Sequence, residues 1–176
     1  VGIEQIEGST GSDRIVGSLP SGSGSEAQQV LWFSGFGGSD QVLQSVVTDD
    51  PWYDGVAVSY RWSPSAVYAY GSGNTVTVSY GSSPNGAGGV DTLENTTVLH
   101  DSFGNDEFDL LRFNGNAQGR KYVVVNLGRG NDTVIGNGDT ILAFTVDASA
   151  DDKSGVTVDL TKTLADLSHL KNAGIS

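Results

Sequence analysis

The stretch Leu127-Gly-Arg-Gly-Asn-Asp-Thr-Val-Ile135 sets two glycines and an Asn-Asp pair directly before a run of strand formers, and this order recurs along the chain. Gly8, Gly11, Asp13 and Ile15 stand at the first, fourth, sixth and eighth places of one nonapeptide, and Gly35, Gly38, Asp40 and Val42 at those of another. Gly104, Asp106 and Phe108 fit a third, looser copy, and Gly128, Gly130, Asp132 and Val134 the opening one. Glycine reaches backbone conformations closed to other residues, so the carbonyls of such a turn can point at a cation while the Asp carboxylate closes on it. The apolar eighth residue then enters a core. A chain punctuated in this way folds as short strands joined by tight turns. Asp13 and Asp40 are 27 positions apart, three nonapeptide lengths, and Asp106 and Asp132 are 26 apart.

A single Gly-x-Asp turn also reads as a hairpin closed by an Asx hydrogen bond. Recurrence with the apolar residue in phase favours the metal, above all at Asp132, with Gly128, Gly130 and Asn131 beside it and Asp139 of Gly136-Asn-Gly-Asp139 as its nearest helper. Asp13 with Gly11, and Asp40 with Gly38, are further candidate ligand positions. Asp106 belongs to the same set, but Asp101 and Ser102 replace the glycine pair there, and the hairpin reading is preferred.

Charge points the same way. The 176 residues carry 21 acidic against 9 basic side chains, a formal net charge of -12, which repels nucleic acid and attracts cations. No stretch approaches the roughly 18 apolar residues of a membrane-spanning helix. With no cysteine, disulfides and thiolate metal sites are excluded. The chain begins at Val1 and has no methionine, so it reads as a single β-rich module, 1–176, excised from or repeated within a larger exported protein.

Between the nonapeptides the pattern changes. Residues 19–29 form a Ser/Gly loop, and 30–33 a short apolar strand. From Val56 to Tyr80 apolar and polar residues alternate with period two, and Gly71-Ser-Gly-Asn74 is a hairpin signal, which predicts antiparallel pairing through this region. Residues 163–172 carry the one helical pattern, with Leu164, Leu167 and Leu170 on one face, Thr163 as cap and Gly174 beyond its end. The expected fold is therefore all-β, with one short C-terminal helix.

The repeated form Gly-x-x-Gly-x-Asp-x-(Ile/Val/Phe)-x resembles the nonapeptide of the RTX (repeats-in-toxin) family, whose tandem copies fold into calcium-binding parallel β-rolls. Residues 74–80, 88–95 and 102–106 are similar to the segments that separate nonapeptide blocks in large RTX adhesins. The resemblance implies β-solenoid or β-roll-like coils at the two ends of the chain around the antiparallel hairpin, with calcium held by the turns. It departs from the family in that no nonapeptide is followed directly by a second full copy.

Catalysis finds little support. His100 and His169 are the only histidines, no Gly-x-Ser-x-Gly elbow is present, and His100 reads as a hydrogen-bonded structural residue. Acidic clusters at Asp49-Asp50, Asp54 and Asp151-Asp152 read as solvated turns. Of the aromatic residues, Tyr60 and Trp62 fit a core face, while Trp52, Tyr68 and Tyr70 would form a platform for a glycan if they faced outward. The expectation is a non-enzymatic, extracellular or cell-surface calcium-binding structural module of bacterial type. A self-assembling surface-layer or filament subunit, pairing through open strand edges, is the first alternative, and a carbohydrate-binding accessory module the second.

Overall fold

The computed structural model describes residues 5–18, 30–34, 37–45, 55–61, 63, 65–81, 88–115 and 123–144. Among these residues the chain is all-β, with thirteen strands and no helix. In chain order they are β1 (Gln5–Glu7), β2 (Arg14–Ser18), β3 (Val30–Ser34), β4 (Gln41–Ser45), β5 (Gly55–Ser59), β6 (Val67–Gly73) and β7 (Thr75–Tyr80). There follow β8 (Gly89–Glu94), β9 (Thr96–His100), β10 (Glu107–Phe113), β11 (Val123–Leu127), β12 (Thr133–Ile135) and β13 (Thr140–Phe144). The helix expected over 163–172, the loop 19–29 and the acidic clusters at 49–54 and 151–152 lie outside the described residues.

Two sheets share the strands. The first has the order β1-β3-β5-β9-β11-β13, and every neighbouring pair in it is parallel. The second has the order β12-β10-β6-β7-β8-β4-β2 and is mixed: its flanks pair in parallel, while β6, β7 and β8 form an antiparallel meander at its centre. Apart from that meander, each strand lies in the opposite sheet from the one before it. The nonapeptide turns are the crossings into the second sheet, ahead of β2, β4, β10 and β12.

Alternation along the strands explains the core. One residue from each strand of the first sheet lines up across it in the register Ile6, Phe33, Val58, Leu99, Val125, Leu142. Of these, Phe33, Val58, Leu99 and Val125 are fully buried. They join one cluster with Val42, Leu93, Val76, Val78, Ala69 and Phe108 of the second sheet. Each large apolar side chain buried this way contributes roughly 1.5–3 kcal/mol. The eighth-place residues Ile15, Val42, Phe108 and Val134 all pack in or against this cluster.

The hairpin falls where the sequence puts it. β6 pairs antiparallel with β7 from Val67↔Tyr80 to Ser72↔Thr75, and Gly73 takes a left-handed φ of 61° at the reversal. Antiparallel pairing does not extend back to 56–59, however. β5 lies in the first sheet, parallel to both β3 and β9. Period-two alternation fixes which residues face inward, and Val58 and Tyr60 are indeed buried, but it carries no information on a strand's neighbours or their direction.

Candidate metal centre

The turns ahead of the second-sheet strands stack on one another in register, and each rung uses the same chemistry. The Asp13 N–H donates to Asp40 Oδ1 (2.8 Å), and the Asp40 N–H donates to Asp91 Oδ1 (2.9 Å). In the second stack the Val67 N–H donates to Asp106 Oδ1 (2.7 Å) and the Asp106 N–H to Asp132 Oδ1 (2.9 Å). One residue earlier a second row runs the opposite way. The Ser39 N–H donates to Ser12 Oγ (3.1 Å), the Val90 N–H to Ser39 Oγ (3.0 Å), and the Asn131 N–H to Asn105 Oδ1 (2.9 Å).

Two of the aspartates are also held from within their own turn. The Ser102 N–H and hydroxyl both donate to Asp106 (2.8 and 2.7 Å), and Ser102 Oγ accepts from the Gly104 N–H (2.9 Å). Ser9 holds Asp13 in the same way, with its N–H 2.6 Å from Asp13 Oδ2 and its Oγ accepting from the Gly11 N–H at 3.1 Å. A carboxylate that gathers several N–H and O–H donors is a strong local staple, because hydrogen bonds to a charged acceptor are about twice as strong as neutral ones.

Glycine is needed where these turns touch. Gly38 has a φ of +92°, and a Cβ on it would stand 2.5 Å from the Gly11 carbonyl carbon. Gly130 has a φ of +119°, and its Cβ would run into the Gly104 carbonyl. Beside them the Arg129 guanidinium lies 5.3 Å from the centre of the Phe103 ring.

In the second stack three carboxylates converge. Asp101, Asp106 and Asp132 each offer an oxygen, and these atoms all lie within 4.8 Å of one another. Asp101 is fixed by its N–H, which donates to the Asn126 carbonyl (3.0 Å), and by its Oδ2, which accepts from the Gly128 N–H. Asp101 and Asp106 are buried. Burial, with the Asp106 and Asp132 charges added, pushes the Asp101 carboxyl up to about 7. Burial likewise raises Asp132 to about 6 and lifts Asp106 above its usual range. Three hard oxygen donors held together against their own repulsion suit a hard cation such as calcium, whose charge would reverse those shifts.

The candidates from the sequence therefore divide. Asp132 and Asp106 join the carboxylate group, Gly128 holds Asp101, Gly130 makes the close contact, and Asn131 belongs to the amide row. Asp13, Gly11, Asp40 and Gly38 belong to the first stack, where Asp40 is 1% exposed and its Oδ2 is buried with no hydrogen-bond partner. Asp139 stands apart. It is exposed, and its N–H donates to Asn137 Oδ1 (2.9 Å).

Two aspartates of these stacks do not stand out in the sequence. Asp101 stands where the nonapeptide opens with glycine, and this substitution supplies the third carboxylate. Asp91 was hidden because its turn lacks the full spacing, although Asp91-Thr-Leu93 matches Asp132-Thr-Val134. Asp91 also accepts from the buried Tyr60 hydroxyl (2.8 Å) and, at 3.3 Å, from that of Tyr80, which donates to the Gly38 carbonyl as well (2.8 Å). Burial raises Asp91 to about 6 in spite of these donors.

The other candidates take structural places. His100 Nε2 lies 3.0 Å from Asn126 Nδ2 and its ring packs on Trp32, while burial holds its pKa below the usual value. Tyr60 is in the core and Tyr68 is 44% exposed; Trp52 and Trp62 lie outside the described residues.

These shifts fix how metal-free stability depends on pH. Asp91, Asp101 and Asp132 have folded pKa values raised above 3.8, so between 3.8 and about 7 the folded chain binds more protons than the unfolded one. Stability from these groups is therefore fully present below 3.8 and is lost progressively as pH rises to about 7. His100 opposes this below its ordinary pKa of 6.5. The expected result, in excess chelator, is a melting temperature that changes little between pH 8 and about 7 and rises as pH falls from about 7 towards 3.8. A melting temperature that falls over that interval would contradict the assigned burial of the three carboxylates.

Comparison with protein-family models, with curated proteins and with solved structures found no match.

Proposed function

We propose that this chain is a two-sheeted β-solenoid module of an exported, RTX-like protein, which binds calcium at Asp101, Asp106 and Asp132 and is stabilised by it. The observation that carries the reading is the convergence of three carboxylates from two stacked turns, Asp101 and Asp106 from one and Asp132 from the next. Asp106 accepts from the Val67 N–H and from the N–H and hydroxyl of Ser102, whereas Asp101 accepts one backbone N–H, from Gly128, and Asp132 one, from Asp106. The buried, unpartnered Oδ2 of Asp40 offers a further position in the first stack. The sheet-to-sheet alternation of the strands outside the β6–β8 meander and turn spacings of 27 and 26 residues support the solenoid part of the reading.

The biological logic is linkage. An ion that binds only the folded form stabilises it by mass action, about 2.7 kcal/mol when the ion stands at a hundred times its dissociation constant. Sites in extracellular modules are tuned to the roughly 0.1–1 mM range, so such a chain would gain its stability outside the cell. Calorimetric titration of chelator-stripped protein should show at least one bound calcium, lost in Asp101→Asn and Asp132→Asn, with a matching rise in melting temperature. Zero bound calcium and equal melting temperatures with calcium and with chelator would sink the reading.

A further inference from the structure

The two hydrogen-bond rows have a direction, and they leave the two ends of the stack complementary. At the Asp13–Asp40, Asp40–Asp91 and Asp106–Asp132 rungs the N–H of the earlier turn donates to the aspartate of the later one, while the later turn's preceding N–H donates to the earlier turn's Ser or Asn; the Val67–Asp106 rung, where Ala66 offers no acceptor side chain, keeps the first bond. The β2 end presents the Asp13 carboxylate and the Ser12 N–H. The β12 end presents the Asp132 N–H and the Asn131 carboxamide. Among the described residues no strand pairs with the outer edge of either β2 or β12. Exposure follows the same division at matching positions: Gly11 and Gly130 at the ends are exposed and Asp13 and Asp132 half-buried, whereas Gly38, Gly89 and Gly104 inside are half-buried and Asp40, Asp91 and Asp106 buried.

We infer that a second copy of this chain docks head to tail, the β12 edge of one copy continuing into the β2 edge of the next, and β13 likewise continuing into β1. The Asp132 N–H then donates to Asp13 of the next copy, and its Ser12 N–H donates to Asn131. Gly11 would lie on Gly130 as Gly38 lies on Gly11 within one chain. The contact is heterologous, so it propagates instead of closing on a dimer. The inference rests on the solenoid reading and not on calcium.

The absence of cysteine makes the arrangement testable by cross-linking. Arg14, Gln41 and Thr133 occupy equivalent exposed places, and Arg14 pairs with Gln41 across β2 and β4. Under mild oxidation the variant carrying Arg14→Cys and Gln41→Cys reports the stacking within one chain through an internal disulfide. A mixture of the Arg14→Cys and Thr133→Cys single variants should give the mixed dimer well above either self-dimer, and the Arg14→Cys, Thr133→Cys double variant a ladder of multimers on a non-reducing gel. An internal disulfide without the mixed dimer overturns the head-to-tail contact alone. Failure of the internal disulfide overturns the stacking itself and the contact with it. Self-dimers equal to the mixed dimer would show random collision, which also overturns the proposal.

Discussion

Gly38→Ala is expected to lower the unfolding free energy by about 2–5 kcal/mol, the sum of roughly 1–2 for a left-handed non-glycine residue and 1–3 for overpacking. The second part arises because the new methyl would meet backbone, the Gly11 carbonyl carbon and oxygen, which no side-chain rotation relieves. Two controls separate the causes. At Gly73 the φ is +61° with nothing within 4 Å of a Cβ, so Gly73→Ala should show the conformational part alone, about 1–2 kcal/mol. At Gly11 the nearest atom to a Cβ is Ser9 Oγ at 3.6 Å, so Gly11→Ala should change little. Urea denaturation of the three variants is the measurement. If Gly38→Ala costs no more than Gly73→Ala, the close approach of the turns is not what glycine serves there.

Asp106→Ala should be comparably damaging, about 3–5 kcal/mol, because buried donors left without an acceptor cost roughly 1–3 kcal/mol each. The Val67 N–H, the Ser102 N–H and the Ser102 hydroxyl all point at this one carboxylate, which is 1% exposed. Asp106→Asn keeps one oxygen acceptor and should lose less. Either change also removes a negative charge beside Asp101, so the Asp101 pKa, followed by its carboxyl resonance, should fall from about 7 towards the ordinary carboxylate range. A stability loss with no movement of Asp101 would show that Asp106 acts as a staple without belonging to the carboxylate group. The same loss from Asp13→Ala would be unexpected, since Asp13 lies at the exposed end of its stack and its internal donors come from an exposed serine.

What the sequence disclosed and what it withheld have physical causes. The eighth-place residues Ile15, Val42, Phe108 and Val134 announced the inward face because burial leaves a periodic mark. The spacings of 27 and 26 residues were visible in the sequence without saying what they join; the hydrogen bonds between Asp13 and Asp40 and between Asp106 and Asp132 show that the turns so spaced are neighbours. The Gly71–Asn74 hairpin was legible because tight reversals demand particular residues. The parallel placement of β5 was not, since neighbours brought together from different parts of the chain leave no local pattern. Asp101 was passed over because it replaces the glycine that opens the repeat, and its contact with Gly128 lies 27 positions away. The turn carboxylates were read as candidate ligands, but Asp40, Asp106 and Asp132 each give one oxygen to a backbone N–H of the adjoining strand or turn, a use that composition does not separate from metal binding.

The length of chain between stacked turns has a mechanical side. Asp13 and Asp40 are adjacent rungs joined by 27 residues, so a turn peeled away under tension frees about 90 Å of extended chain while the stack shortens by only about 5 Å. The end rungs are expected to part first, and the rungs at Asp91 and Asp106, whose carboxylates are buried, last. A module built this way yields in steps from its ends and holds its centre, a reserve of length for any assembly that must stay attached while it is pulled.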